Sequence, residues 1–260
     1  MKLPSLFVSH GAPDLALRET AWGAALREFA AGSPRPSAIV VVSAHWEEWG
    51  PVLVTSTKRP ETIHDFGGFP APLYEIEYPA PGEPALAARI VGLLQDARIA
   101  SEADPSRGLD HGAWVPLRIL APKADVPVVA VSLPQPRTPA SVFAVGRALA
   151  PLRDEGMLLL GSGGMVHNLR LLEWEERGAP PPGWAVEFET WVRGRLAAGE
   201  AEALLGYREG APHASRAHST TEHFDPLFFA LGAGDGDPVR SVYEGFEMGS
   251  LSLGCVAFGR

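Results

Sequence analysis

A single cysteine, Cys255, stands in 260 residues. No intrachain disulfide can form, and a reducing compartment is expected, the cytoplasm by default. No apolar run approaches the roughly 20 residues that cross a bilayer, so no membrane partner is expected. Positive charge is short too. Lys and Arg number 22 against 31 Asp and Glu, leaving a net charge of −9, which argues against a nucleic-acid partner gripped through its phosphates. An anionic small molecule is not excluded, because a local site can differ from the whole. HExxH, CxxC, GxSxG and a P-loop are all missing, and with them the commonest sequence marks of metal, hydrolase and nucleotide sites. The 28 glycines and 25 prolines are spread between apolar segments, which speaks against disorder.

What is present is organised around residues 37–47, SAIVVVSAHWE. Ile39, Val40, Val41 and Val42 form a β-branched run without polar alternation, the pattern of a strand buried on both faces. The run breaks into Ser43 and Ala44 and delivers His45. The carboxyl end of a buried strand is where open α/β sheets place their ligands. The chain repeats the device twice. Residues 6–9, LFVS, lead to His10 and Gly11, and residues 157–160, MLLL, lead through Gly161-Ser162-Gly163-Gly164 to His167. The start of the chain therefore reads as a first strand and not as a signal peptide.

Between these strands the sequence alternates helix and strand signals. Helices are expected over 20–31 (Trp22, Ala25, Leu26, Phe29), 84–97 (Leu86, Ile90, Leu93, Leu94), 113–120, from Pro139 through Leu152 (Val142, Val145, Leu149, Leu152), and 184–196. Further strands are expected over 51–57 and 126–133, and a terminal strand or hairpin over 243–258. Ser219-Thr220-Thr221-Glu222 fits a capping box for a helix carrying Phe224, Leu227, Phe228 and Leu231 inward. Residues 58–83 are a long proline-rich segment whose aromatics, Phe66, Phe69, Tyr74 and Tyr78, suit an ordered loop walling a pocket. The alternation runs to the end without a linker. One α/β domain over residues 1–260 is expected, with a central, mostly buried mixed sheet flanked by helices.

Any one of the eight histidines, taken alone, is most simply a hydrogen-bonded core residue. His10 and His45 together, both at strand ends, point instead to a metal held by imidazoles with positions left open. His111 and His167 also sit beside Gly, Ala or Ser at element ends, and His223 lies near the start of the last helix. His64 and His218 are candidates for substrate contact. His213 reads as a surface loop residue.

Six stretches in order, SHGAP (9–13), SAHWE (43–47), IHDFGGFP (63–70), LDHGAWVPL (109–117), GSGGMVHNL (161–169) and TEHFDPLFFALGA (221–233), resemble the class III extradiol ring-opening dioxygenases, nearest to their 4,5-DOPA extradiol dioxygenase branch. The resemblance implies a non-haem Fe(II) site in a single α/β domain, with a catechol and O2 as reactants. It places His10, His45 and His223 as metal ligands. More distant relatives carry glutamate at the third place. The three-imidazole set here also suits Zn(II), with Glu222 and Asp225 as nearby carboxylates. His167 matches the family's acid/base histidine and stands open as a fourth ligand. His111 matches a second active-site histidine that meets substrate or dioxygen. Trp46, Phe66 and Trp114 are candidates to pack on the ring, and Arg170, Arg216 or Lys58 to meet a substrate carboxylate. A zinc-dependent hydrolase on the same histidines and a non-enzymatic binding module of the same fold remain as alternatives. A homo-oligomer stays an open expectation.

Overall fold

The computed structural model describes residues 2–259, and its frame is an eight-stranded mixed sheet. The strands are β1 (Ser5–Ser9), β2 (Ala38–Glu47), β3 (Val52–Thr55), β4 (Ser101–Asp104), β5 (Val128–Leu133), β6 (Met157–Gly163), β7 (Val239–Tyr243) and β10 (Cys255–Phe258), while β8 (Phe246–Glu247) and β9 (Leu251–Ser252) pair as a separate ribbon. Across the sheet the order is β4-β3-β5-β2-β6-β1-β10-β7. The central four, β5, β2, β6 and β1, run parallel to one another; β10 is antiparallel to β1 and to β7. The helices are α1 (Ala21–Gly32), α2 (Pro84–Asp96), α3 (His111–Leu120), α4 (Pro139–Leu149), α5 (Gly183–Ala197), the short α6 (Ala201–Leu205), α7 (Tyr207–Gly210) and α8 (Ala214–Ala217), and α9 (Asp225–Ala233).

The β-branched run is buried on both faces, as its composition demands. Ile39, Val40, Val41 and Val42 are at most 1% exposed. Val40 and Val42 pack into the core shared with α2, α4, α5 and α9; Ile39 and Val41 pack into the opposite core with α1, α3 and the loop residues Leu73 and Tyr78. This is the strand period of two made visible. Thr20 caps α1 by accepting from the Gly23 amide at 3.0 Å, and Thr138 with Ser141 forms a capping box at α4. No helix among the described residues is long and apolar enough to cross a membrane, and Cys255 is free and buried.

Three local expectations are corrected. Ser219 to Glu222 do not cap a helix. Helix α9 begins at Asp225, where Pro226 in the first turn suits a helix start, and its N-cap, Phe224, has no side-chain cap. Glu222 turns instead to Thr220 and His223. The end of the chain, expected as one terminal strand or a hairpin over 243–258, is four short strands, β7 to β10, of which β8 and β9 form an antiparallel pair. β4, with the sequence SEAD, is an edge strand whose polar residues gave no strand signal. Helix α9 itself is buried at every position, because it lies between α4 and the central strands.

That burial explains the glycine-rich end of β6. A Cβ on Gly163 would collide with the carbonyl oxygen of His223, and one on Gly161 with that of Pro226. The Gly164 amide donates to the His223 carbonyl at 2.7 Å. The glycines let the lead-in to α9 lie directly on the strand, which brings a residue near position 223 beside positions 10 and 45.

Candidate metal centre

The parallel register sets the stage. Ser9 is aligned with Gly163, and Ser43 with Ser162, so the carboxyl ends of β1, β6 and β2 stand side by side. His10 follows β1, and its amide donates to the Gly163 carbonyl at 2.9 Å. His45 lies inside β2 and not at its end. The strand outruns its pairing with β6, which stops at Ser43, and its register with β5 shifts before Glu47. His111 opens α3, whose cap is Asp110, accepting from the Ala113 amide. A single cleft of about 300 Å³ is lined by His10, His45, His111, His167 and His223 together. All five histidines singled out in the sequence reach it.

Three of them converge more tightly. The Nε2 atoms of His10 and His45 lie 3.1 Å apart, and those of His45 and His223 3.3 Å apart. Their outward nitrogens are tied. His223 Nδ1 lies 3.1 Å from the Glu222 carboxylate and His45 Nδ1 3.5 Å from Asp65. A carboxylate only accepts, so Nδ1 of His223 carries the proton and Nε2 offers a lone pair.

His10 reaches the same state by a longer route. Pro116 sits inside α3 and has no N–H, which leaves the Gly112 carbonyl without its helix partner. The Ser162 hydroxyl donates to that carbonyl. Its oxygen is then left to accept from His10 Nδ1, 3.1 Å away, and His10 Nε2 is again the free lone pair.

Burial, then the neighbouring imidazoles, hold His10 and His223 well below the ordinary histidine value. Burial first, against the pull of nearby carboxylates, brings His45 to about 4. Neutral rings with lone pairs aimed at one another repel unless a cation stands between them. Nitrogens at about 2.0–2.1 Å from one ion stand roughly 3.0–3.4 Å apart, the spacing found here. The donor set and its outer partners fit a mononuclear metal centre.

The other two histidines stand beside this trio. The His167 ring lies flat on His223, 3.5 Å between centroids and 6° from parallel, and its nitrogens are not in the converging set. In this structure its ring stands beside the converging trio. Burial, chiefly, lowers it to about 3, so it is neutral near pH 7. His111 is held by Asp65, whose Oδ1 accepts from His111 Nδ1 at 2.8 Å and from the His111 amide at 3.0 Å. Burial pushes the Asp65 carboxyl up, but the bonds and charge from His111 outweigh it and hold it below the usual carboxylate range.

Asp65 is the residue that sequence reading missed. It lies within IHDFGGFP and ties two histidines from two other elements. The one available signal was a carboxylate in a loop already expected to wall a pocket. Behind His223, Asp225 is fully buried with Arg137 Nε 2.6 Å from its Oδ2. Burial outweighs that partner and lifts it to about 6.

Several other candidates are not part of the cleft. His218 is buried in the opposite core among Phe188, Tyr207 and Phe224, donating from Nε2 to the Met165 carbonyl at 3.0 Å. His64 bonds the Ile76 carbonyl at 3.0 Å and braces the loop. His213 is exposed and pairs with Glu187. Trp46 is buried with the Arg107 guanidinium over its ring, and Trp114 is buried and donates to the Ile63 carbonyl at 2.9 Å. Phe66 and Phe69 do line the cleft; Tyr78 is core, its hydroxyl donating to the Ala121 carbonyl. Arg216 lies over Trp184.

An α/β sheet whose central parallel strands gather neutral imidazoles at their carboxyl ends defines a candidate mononuclear metalloenzyme of the type that binds ligands at strand ends. The comparisons with known proteins make the class specific. Residues 7–257 match the family described as the catalytic LigB subunit of aromatic ring-opening dioxygenase, and the chain belongs to that family of extradiol ring-opening dioxygenases. It is 42% identical to the 4,5-DOPA dioxygenase extradiol of Escherichia coli (strain K12), covering 99% of this chain and 95% of that one. It is 38% identical to the enzyme of the same name from Beta vulgaris, covering 98% and 96%. The crystal structure of an uncharacterized protein from Escherichia coli K12 superimposes with a TM-score of 0.83 at 39% identity, over 99% of this chain and all of the other.

Proposed function

We propose that the chain opens the ring of a catechol of the 3,4-dihydroxyphenyl type with O2, using Fe(II) held by His10, His45 and His223. The observation that carries this reading is the convergence of three Nε2 lone pairs whose Nδ1 partners are Ser162, Asp65 and Glu222. Bound there, Fe(II) supplies a centre that draws both catechol oxygens and dioxygen together and passes electrons between them.

The chain's own side chains do the rest. Neutral His167 accepts the proton that a catechol hydroxyl loses and later returns it to an oxygen of the reacting group. His111, its Nδ1–H fixed on Asp65, lines the same cleft beside the place where negative charge develops on oxygen. Phe66 and Phe69 exclude water on the ring side. The cleft, about 300 Å³, is at the small end of ligand pockets and suits a one-ring compound.

The test is oxygen uptake by protein loaded with Fe(II) under anaerobic conditions and then given a catechol in aerated buffer. One O2 consumed per catechol, with a yellow ring-opened product, is the expected result. Protein loaded with Zn(II) should bind the ion and leave the catechol intact. Iron-loaded protein that opens no member of a wide catechol panel, or zinc-loaded protein with an oxygen-independent hydrolase activity, would sink the proposal.

A further inference from the structure

Resting on the metal reading above, we infer that Arg137 is a positioning residue of the centre: its guanidinium holds the segments that carry His45 and His223 at the separation one cation needs. The three ligand segments differ in what fixes them. His10 is fixed by the sheet, since its amide continues the pairing of β1 with β6 onto the Gly163 carbonyl. His45 stands where β2 has left β6, and its pairing with β5 resumes only at Glu47. His223 lies in the turn before α9, outside any helix or strand. The sheet ladder alone therefore does not set the distance between His45 and His223.

Arg137 stands between β5 and α4 and reaches both segments. Nη1 pairs with the carboxylate of Glu47, two residues past His45. Nε lies 2.6 Å from Asp225 Oδ2, and Nε and Nη2 donate to the Thr221 hydroxyl oxygen at 3.3 and 3.2 Å. Thr221 and Asp225 stand two residues before and two after His223. One planar fork thus grips both flanks of one ligand and one flank of another. It also joins two carboxylates that repel each other without it, and one of them, Asp225, is fully buried. Arg107 serves His45 differently: it donates to the His45 carbonyl at 3.1 Å and pairs with Asp110 at the start of α3. A metal site works only when its ligands are held within about 0.5 Å of the productive geometry. A strap across two segments that the ladder leaves free meets that demand.

The experiment uses two variants that keep every charge and break the geometry. Glu47→Asp withdraws the carboxylate from Arg137 by one methylene, and the Glu47 side chain is 40% exposed, so the core stays closed. Arg137→Lys still balances Asp225 but has no fork. Metal-free protein is titrated with Co(II) in competition with a chelator, the visible ligand-field spectrum is recorded, and the urea midpoint of the metal-free form is measured alongside.

Each variant should raise the Kd for Co(II) about tenfold and shift the ligand-field bands, and Glu47→Asp should do so with its urea midpoint unmoved. The double variant should bind little more weakly than Arg137→Lys alone, because both changes cut the same strap. Wild-type Co(II) affinity and bands in either single variant overturn the inference, since the strap needs both ends. A loss confined to the urea midpoint overturns it too, and makes Arg137 a brace of the fold. Fully additive losses in the double variant would show two independent effects and no strap. Wild-type protein that binds no Co(II) overturns the metal reading instead.

Discussion

The two ends of the central strands bury polar groups in opposite ways. At the amino end of β1 stands Arg153, 1% exposed. Its Nε donates to the Leu3 carbonyl at 2.7 Å, Nη1 to the carbonyl of Ala233 at the end of α9, and Nη2 to that of Phe258 at 3.1 Å, with the Asp237 carboxylate 2.7 Å away. All its nitrogens face acceptors, and the carbonyls of a strand, a helix end and a neighbouring strand are answered by one side chain. At the carboxyl end each of the three converging imidazoles, His10, His45 and His223, has one nitrogen answered by the protein and one left for something else. The first arrangement closes the fold. The second is costly to the fold by itself and becomes favourable only with a cation.

Each end can be broken separately. The largest effect is expected at the histidines. His45→Ala should reduce bound iron to background and turnover by about 10³-fold or more, read by metal analysis and oxygen uptake, while the metal-free protein keeps its unfolding midpoint. Arg153→Met should do the reverse. Loss of its bonds leaves buried carbonyls without their donor and Asp237 with Lys2 alone, and lowers stability by about 3–5 kcal/mol, read by urea unfolding, while protein that does fold still binds iron. If Arg153→Met folds normally and loses metal, the contrast between the two ends is wrong.

A buried histidine away from the centre sharpens the same point. Burial brings His218 to about 4, against an ordinary value of 6.5. The unfolded chain therefore binds a proton that the folded one refuses between those two values, and stability falls as pH drops from 6.5 toward about 4. From pH 7 to pH 5 this group alone should remove about 2 kcal/mol. His218→Gln keeps a donor for Met165 and should flatten that part of the urea-midpoint profile of metal-free protein. An unchanged slope would show that His218 is not held neutral by the core. The smallest expected effect is at Asp65. Asp65→Asn keeps the shape but loses the charge holding His111 and facing His45, and activity or iron affinity should fall about 10–100-fold. An effect on stability alone would make Asp65 a loop brace.

Much of this was legible in the sequence where one residue type carries one physical demand. The unbroken Ile39–Val42 run required two covered faces, and the histidines following β1 and β6 and within β2 reached one cleft with His111 and His223. What was not legible depended on partners far along the chain. Glu222 fits a capping box by spacing, yet its carboxylate is engaged by His223. Gly161 and Gly163 read only as the lead-in to His167, and their absent side chains serve the backbone of 223–226. Trp46, Trp114 and His218 have the chemistry of site residues but lie in the cores. Position 65 had no local pattern, because the groups that need its charge are at 45 and 111. β4 escaped notice because an edge strand of SEAD has no hydrophobic alternation to show.

The place of β1 in the sheet has a consequence for how the chain comes into being. Val8 pairs with Ser162 on one side and Cys255 on the other. As the ribosome extends the chain, the strand that leads to His10 has neither neighbour for some 150 residues and lacks the second for almost a hundred more. Such long-range pairings are slow to form and leave apolar strand edges exposed meanwhile. His223 arrives late as well. A metal ion held as proposed would not find its full set of nitrogens on the growing chain, so such a centre would be assembled at the close of folding and not as a nucleus for it.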